Sequence, residues 1–272
     1  MILLMSDDAS TEISLRLARF PEQNLGTVWL HVATEAGAWS LADESFELAS
    51  SRATPVAEDT VSFDAWNGAQ SIRFDAVQRN SGKMQGRVTG KFLVSATRHP
   101  ESIPGDIPVT VDLRFDARSE GYKNQGRWEM TGQVSGFVTV DDNSYFMAAD
   151  GKWHEQTGPR AGFAPAFRYF NVQNSDAAIL AIQYAERFRG YAMLGDGIHD
   201  LTAVAIDPPG SYPGAERKFS LTLDNGQNVS GTARIVQEWS VPIEGQRRPG
   251  ASVVVDSNLG RLTGSLNDWE PR

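Results

Sequence analysis

Hydrophobic and polar residues alternate along most of this 272-residue chain. Such alternation puts the apolar side chains of a strand on one face and leaves the other face polar, as in antiparallel sheets. The alternating runs span residues 12–20, 26–32, 71–77, 108–116, 167–172, 178–184, 218–223 and 233–239. The pattern therefore predicts an all-β protein.

Turn-forming residues separate these runs at short intervals. The triplet Asp224-Asn225-Gly226 between two alternating runs predicts a β-hairpin, and Asp141-Asp142-Asn143 marks a further turn near the middle of the chain. Helical periodicity is nearly absent. Only residues 41–48 are predicted to form one or two turns of helix.

Glycines recur inside the predicted strands, in a pattern that reads G-x-V-[ST]-G at residues 86–90 and again at residues 132–136. A glycine within a strand marks a bulge, a bend or a close approach of another group. Repeated bends favour strongly curved sheets such as barrels. Flat sandwich strands with incidental glycines are the alternative.

The composition narrows the classes of partner. The net charge is −9, and no run of basic residues exceeds two, which argues against nucleic acid as a partner. The chain has no cysteine, so disulfides and thiolate chemistry are excluded, and a reducing cytoplasm suits it. The apolar opening is only five residues long, and no stretch approaches the length of a membrane helix. Neither a signal peptide nor membrane insertion is expected.

The segment GKWHEQTGPR, residues 151–160, gathers the densest set of candidate chemical groups. His154 has a side chain that titrates near neutrality and is a candidate general acid–base. Glu155 would orient it or act as the second acid–base group. His154 and Glu155 would both enter one cavity only if the backbone twists or bulges there, and the following turn at residues 157–159 is compatible with such a departure. In a regular strand His154 shares a face with Gln156, and Trp153 shares the other face with Glu155. The alternative is a surface histidine at a strand end with a solvated glutamate.

A second polar set follows the run at residues 178–184. Tyr184 and Glu186 are two residues apart, so in a strand both would lie on one face and could bind or protonate a substrate oxygen. An ordinary strand end with an ion-paired glutamate is the alternative. The predicted substrate-binding residues are Trp128, Trp153, Gln156, Arg160, Phe167 and Tyr169. Aromatic rings of this kind line apolar ligand pockets, but they also fill ordinary cores.

Other chemistries lack sequence support. The histidines and acidic residues show no metal-ligand spacing, no glycine-rich phosphate loop precedes a helix, and no G-x-S-x-G nucleophile motif is present. The sequence therefore predicts a mechanism with no cofactor and no metal.

Two segments resemble a known family. The sequence EMTGQVSGFVTVD at residues 129–141 and the following segment 151–160 are similar to motifs of the two-domain lipocalin-like proteins, which include the AttH-like group and carotenoid 1,2-hydratases. Fungal lipocalin-type Diels–Alderases share that general architecture. The order Trp153-His154-Glu155-Gln156 departs from the commoner D-H-x-W, and no tryptophan precedes Gly158. In the hydratases, a His/Trp pair and a later Tyr-x-Asp pair act together. Trp153-His154 resembles the first pair, and Tyr184-Ala185-Glu186 resembles the second, with Glu in place of Asp.

The resemblance implies two lipocalin-like antiparallel β-barrel or curved-sheet domains packed side by side, with an apolar ligand in the first domain or between the two. The predicted domains are residues 1–155 and 156–272. The implied function is that of a cofactor-independent lyase or isomerase, meaning a hydratase, dehydratase or cyclase, acting on a hydrophobic terpenoid- or polyketide-like molecule. His154, Glu155, Tyr184 and Glu186 are its predicted catalytic residues.

Two other functions stay open from the sequence. A non-catalytic binding or carrier protein for an apolar small molecule would use the same polar groups to anchor a ligand oxygen. A carbohydrate-active β-protein would need two carboxylates facing each other across a sugar, for which Glu155 and Glu186 are the pair to test.

Overall fold

A computed structural model describes residues 1–48, 54–57, 60–78, 84–96, 107–124, 126–157, 166–184, 187–195, 197–208, 216–243 and 246–269. Nearly all of these residues lie in antiparallel strands, and the helical structure among them is a single 3-10 turn at Pro21–Gln23. The all-β prediction is therefore confirmed. Within these ranges, no helix is long and apolar enough to cross a membrane.

The chain divides into two compact units. The first comprises Met1–Leu4 and Glu12–Gln156, and the second comprises Met5–Thr11 and Thr157–Arg272. Each unit contains an antiparallel sheet that closes on itself, with its own apolar core. Two lipocalin-like β-domains, as predicted, are therefore present.

The described strands of the first unit form one sheet. They are β1 (Ile2–Met5), β2 (Glu12–Phe20), β3 (Leu25–Thr34), β4 (Gly37–Leu48), β5 (Thr54–Ala57), β6 (Thr60–Asn67), β7 (Gln70–Gln78), β8 (Met84–Ala96), β9 (Ile107–Ala117), β10 (Tyr122–Asn124), β11 (Arg127–Val140) and β12 (Asn143–Gln156). Strand β1 inserts between β12 and β2, and the pairing of β9 with β11 closes the first barrel.

Aromatic packing fills part of the first barrel's interior. The Trp153 ring lies 5.5 Å from Phe74 and 5.9 Å from Phe115, centroid to centroid, and the tryptophan is only 1% exposed. Gly86 on β8 faces this ring, and a Cβ at that position would overlap it. One glycine of the repeated strand pattern thus makes room for a large core side chain, which is one of the roles that the pattern predicts.

The helix predicted over residues 41–48 is wrong, because these residues belong to strand β4. A register shift explains the pattern: Gly26 pairs with Phe46 whereas Val28 pairs with Asp43, so β4 contains one extra residue at this point. The bulge brings Leu41 and Phe46, five positions apart, to the same core. This odd spacing hides the period of two from a sequence pattern.

The second unit forms an eight-stranded closed barrel. Its strands are β13 (Phe167–Gln173), β14 (Ala177–Gln183), β15 (Phe188–Leu194), β16 (Gly197–Ile206), β17 (Glu216–Leu223), β18 (Asn228–Ile243), β19 (Gln246–Ser257) and β20 (Gly260–Trp269). Each pairs with the next along the chain, and β20 returns to β13. The predicted hairpin at Asp224-Asn225-Gly226 joins β17 to β18, with Gly226 at a φ of 82°.

A buried ion pair lies at one end of the second barrel's interior. Arg217 alternates with the core residues Phe219 and Leu221 along β17, and its guanidinium donates to both carboxylate oxygens of Asp268 at 2.5 and 3.1 Å. Its Nε also donates to the carbonyl oxygen of Asp207 at 2.9 Å. These bonds satisfy a guanidinium that is only 1% exposed.

Candidate active site

His154 lies on the face of β12 that points away from the core of the first barrel. The strand is regular here, so Trp153 faces the core and His154 faces the opposite way. Across the β11–β12 hairpin, Glu129 pairs directly with His154, and Met130 pairs with Trp153. The pairing thus places a carboxylate beside the imidazole.

Glu129 is the centre of a buried charged cluster. Its Oε1 lies 3.2 Å from His154 Nδ1 and 3.0 Å from a guanidinium nitrogen of Arg127, and its Oε2 contacts Lys152 Nζ. The Glu129 and Lys152 side chains are 1% and 2% exposed, and His154 is 10% exposed. We call these four residues the Glu129 cluster.

The cluster keeps Glu129 ionised despite its burial. Desolvation opposes the negative charge, but Lys152, the hydrogen bond from His154 and Arg127 together outweigh it and hold the pKa of the carboxyl well below its usual range. Burial lowers the pKa of Lys152, and Glu129 acts in the opposite direction. A buried carboxylate held by several cations is costly to disturb, because removing one partner strands a charge.

His154 is a neutral imidazole at pH 7. Burial lowers its pKa to about 4, and the hydrogen bond and charge of Glu129 oppose that shift only in part. Because an ionised carboxylate can only accept a hydrogen bond, Nδ1 carries the proton of the neutral imidazole, and this N–H donates a hydrogen bond to Glu129. Nε2 then has a lone pair and can take a proton from a bound molecule. This arrangement is typical of a general base whose tautomer is set by a carboxylate.

Glu155 lies on the opposite face of β12 from His154. Its Oε1 accepts a hydrogen bond from Trp153 Nε1 at 2.8 Å. Gln156 shares the face of His154, is exposed, and its Oε1 accepts from Arg127 at 3.5 Å. The strand therefore follows the regular one of the two alternatives that the sequence left open, and it brings Trp153 together with Glu155 rather than His154 with Glu155.

Trp128 is paired across the hairpin with Glu155. Its Nε1 donates to the carbonyl oxygen of Glu120 at 2.6 Å, and Lys123 Nζ lies 4.6 Å from the ring centroid. The ring is thus held by its own unit, on the same face as Glu155.

The remaining predicted residues belong to the second unit or its connection. Tyr184 packs against Phe167 with 5.8 Å between ring centroids, and the Arg189 guanidinium lies 5.9 Å from the tyrosine ring. Tyr169 lies on the same face of β13 as Phe167, two residues along the strand. Arg160 and Glu186 lie outside the described residues.

No group of three or more potential metal-binding side chains occurs in the described ranges of the chain. The Glu129 cluster contributes one histidine and one carboxylate, and two cations already contact that carboxylate. The donor set does not fit a divalent cation, because Lys152 and Arg127 occupy the oxygens that a metal would need.

The same fold occurs in a crystal structure, determined at 2.00 Å, of a protein from Nitrosomonas europaea described as a putative AttH. The two chains superpose with a TM-score of 0.58 at 12% sequence identity, over 99% of this chain and 91% of the other. This chain has the AttH-like fold. The resemblance carried by residues 129–141 and 151–160 is confirmed at the level of the fold. No protein-family model and no curated protein sequence matches the chain.

Within this AttH-like fold, three members of the Glu129 cluster were not predicted as site residues: Glu129, Lys152 and Arg127. A signal for Glu129 and Lys152 was present in the predicted turn at Asp141-Asp142-Asn143. In the structure Val140 pairs with Asn143, so counting eleven residues outward on each arm pairs Glu129 with His154. Counting nine residues on each arm pairs Thr131 with Lys152 and puts the lysine diagonally next to Glu129.

Proposed function

We propose that this protein is a cofactor-independent lyase or isomerase that moves a proton on a hydrophobic small molecule. The observation that carries the proposal is the buried His154–Glu129 pair, in which a neutral imidazole is hydrogen-bonded to an ionised carboxylate. His154 is the proposed acid–base group. Glu129 takes over the orienting role that the sequence suggests for Glu155.

The proposed proton transfer uses the two imidazole nitrogens differently. Nε2 removes a proton from the substrate, which makes the imidazole a cation, and the Glu129 carboxylate next to Nδ1 stabilises that cation. The same Nε2 then returns the proton to another atom of the substrate or to a leaving hydroxyl. Isomerisation, dehydration and, in reverse, hydration of an alkene all follow from these two steps. A well-placed general acid–base contributes about 10²- to 10⁴-fold in rate.

Burial affects this chemistry in two opposite ways: desolvation disfavours the imidazolium and lowers the pKa of His154 to about 4, whereas the hydrogen bond and charge of Glu129 offset part of that cost. His154 and Glu129 are largely removed from water, so the attraction between the imidazolium and the carboxylate is stronger than it would be at the surface. The terpenoid- or polyketide-like substrate class rests on the AttH-like fold and on the resemblance to the hydratases.

Deuterium incorporation reports the proton transfer where the imidazolium exchanges its proton with solvent before returning it, and chromatography of the products detects an isomerisation without exchange. The purified protein is incubated in D₂O with a panel of terpenoid and polyketide-like alkenes, allylic alcohols and enones, and mass spectrometry detects exchange or a change in mass. We expect exchange into at least one class of compound, and a loss of about 10²-fold or more in His154→Gln. His199→Gln is the matched control, because His199 lies on β16 next to Asp224 at 3.0 Å and is not part of the cluster.

Two results would contradict the proposal. The first is full exchange by His154→Gln on a compound that the wild type turns over. The second is tight binding of a compound from the panel with no exchange and no conversion, which would identify a carrier instead.

A further inference from the structure

The hairpin of β11 and β12 has a free backbone edge near its turn. On the side of β12 that faces away from β11, β1 pairs with residues 151–153, and the His154 amide donates to the carbonyl oxygen of the residue before β1. The backbone groups of successive residues in a strand alternate between its two sides, and the β11–β12 register is continuous. The N–H and C=O groups of Ser144, Phe146 and Ala148 therefore point to the same side as those of His154. Within the described ranges, no strand pairs with these three residues on that side.

This edge is open to solvent. Ser144, Phe146 and Ala148 are all exposed, and the exposed fraction of Phe146 is 65%. A free strand edge is a template for pairing with another chain, and many proteins protect such an edge with lysine, proline or a bulge. Residues 143–150 contain neither lysine nor proline, and their pairing with β11 has no bulge. The edge is therefore accessible to an incoming strand and carries none of these protections.

An exposed aromatic pair lies beside the free edge. Phe146 pairs with Phe137 of β11, with 5.2 Å between the ring centroids, and Phe137 is 53% exposed. A strand added at the edge would place every second side chain on the same face as these rings, so the residue opposite Phe146 would contact its ring. Main-chain hydrogen bonds supply affinity in strand addition, and contacts of alternate side chains supply specificity. This part of β12 offers both.

The charges near the edge favour a basic partner. Asp141 and Asp142 in the turn are exposed, and neither forms an ion pair within the part of the chain that the structure describes. In an added antiparallel strand, the residue opposite Asp142 lies four positions after the residue opposite Phe146, on the same face. A lysine or arginine at that position would face the Asp142 carboxylate, and opposite charges in such a pair are stabilising.

A second copy of this chain fits the edge less well. Antiparallel pairing of two edges that brings the two Phe146 residues together puts Asp142 of each copy opposite Asp150 of the other. Like charges directly opposite each other are destabilising. Each copy also has a net charge of −9, so the two repel each other. A basic segment of a different protein is therefore the better occupant.

We propose that the free edge formed by Ser144, Phe146 and Ala148, the β12 edge, binds an extended segment of another protein by antiparallel strand addition. The segment exchanges backbone hydrogen bonds with these three residues. It carries a bulky apolar side chain opposite Phe146 and a lysine or arginine opposite Asp142. The antiparallel direction follows that of the strand pairs within the same sheet.

This interaction is independent of the proton transfer proposed for His154, because it requires binding alone. A synthetic peptide, TVTVFVTVK with both ends blocked, is titrated into the full-length protein by calorimetry. Its phenylalanine is designed to lie opposite Phe146, and its lysine then lies opposite Asp142. We expect saturable binding of one peptide per chain.

Two patterns of N-methylation separate strand addition from simple hydrophobic contact. Methylation of the third, fifth and seventh peptide nitrogens removes the donors that face β12 and should abolish binding. Methylation of the second, fourth and sixth nitrogens changes donors that face away from β12, and should leave the Kd within about threefold. The side chains are the same in both methylated peptides.

Three protein variants test the contacts on the other side. Ala148→Pro removes an N–H that faces the free edge and not β11, so the protein should fold and the Kd should rise about tenfold or more. Phe146→Ala should raise the Kd about threefold or more, and Phe188→Ala is its matched control, since Phe188 is a 40% exposed phenylalanine on β15. Asp142→Lys should weaken binding of TVTVFVTVK and strengthen binding of TVTVFVTVE.

Several results would overturn the proposal. They are no saturable binding of TVTVFVTVK, equal loss of binding with the two methylation patterns, and an unchanged Kd in a folded Ala148→Pro protein. Sedimentation of the wild type without peptide gives a further test, because a dimer that Ala148→Pro dissociates would identify a second copy as the occupant. If Ala148→Pro does not fold, the reversal of peptide preference in Asp142→Lys decides the question, and its absence counts against the proposal.

Discussion

Glu155 Oε1 lies 2.8 Å from the indole Nε1 of Trp153, on the opposite face of β12 from His154. The hydrogen bond satisfies the indole N–H of a tryptophan that is otherwise enclosed by Phe74 and Phe115. His154 and Glu155 are neighbours in sequence, but they therefore have separate structural surroundings. These surroundings and the buried ion pairs determine how the protein should respond to substitution and to pH.

Removing the Glu129 carboxylate should destabilise the protein severely. In Glu129→Gln, Lys152 and Arg127 lose the negative charge that they contact, and a broken buried pair costs about 3–5 kcal/mol. Urea denaturation measures the free energy of unfolding. Adding Lys152→Met to Glu129→Gln should recover most of the loss, because the stranded ammonium is removed too. A double variant no more stable than Glu129→Gln would contradict this account.

The stability should fall as the pH is lowered from about 6.5 to about 4. In that window unfolded His154 binds a proton, whereas the folded residue, with its pKa lowered to about 4 by burial, does not. Proton binding by the unfolded state alone favours unfolding, with a limit on the order of 2–3 kcal/mol at the low end of the window. His31 on β3 acts in the same direction, since burial lowers its pKa to about 3.

Urea denaturation between pH 4 and pH 7 measures this dependence. His154→Gln should show a shallower slope than the wild type, and His31→Gln should flatten it separately. A slope unchanged by both substitutions would show that the histidines do not carry the effect.

Gly86 should tolerate no side chain while Trp153 is present. A Cβ at Gly86 would overlap the Trp153 ring, and overpacking of a core costs about 1–3 kcal/mol. We expect Gly86→Ala to lower the melting temperature measured by calorimetry. In a Trp153→Phe background the same substitution should cost less, because the smaller ring leaves room. Equal costs in the two backgrounds would argue against the contact.

The two ion pairs Arg217–Asp268 and Arg87–Asp112 should differ in their energetic importance. Asp268→Asn strands a guanidinium that is 1% exposed and should cost about 3–5 kcal/mol. Asp112→Asn breaks a pair whose two side chains are each 50% exposed, and should cost less than about 1 kcal/mol. Chemical denaturation of the two variants makes the comparison. Similar losses in both would be inconsistent with burial as the deciding factor.

The strands could be predicted from the sequence because each buries one face. The run at residues 12–20, for example, corresponds to β2 with the same bounds. Strand β4 could not be predicted in this way, because one extra residue opposite β3 changes the spacing between Leu41 and Phe46 and interrupts the alternation. The closure of the first barrel depends on pairing between β9 and β11, which are not consecutive strands because β10 lies between them, and alternation alone does not specify that pairing.

The candidate site was predictable in part. His154 could be selected from the sequence because of its residue type and its polar and aromatic neighbours. The geometry of a regular strand puts Glu155 on the opposite face, as the structure has it. The contact of His154 with Glu129 depends on the register of a hairpin, which must be counted from the turn and cannot be read from neighbouring residues. The pKa of His154 depends on burial, which a sequence pattern of single residues does not give.

All fourteen residues of β11 pair with β12 in continuous register, from the turn to Glu129 and beyond. Glu129 and His154 are only 25 positions apart along the chain, so their encounter needs a short loop closure, whereas the insertion of β1 beside β12 pairs Ile2 with Trp153, close to the two ends of the unit. We therefore expect the imidazole and the carboxylate to meet early in folding, while both are still hydrated. The water around them would leave only afterwards, as the later strands are added.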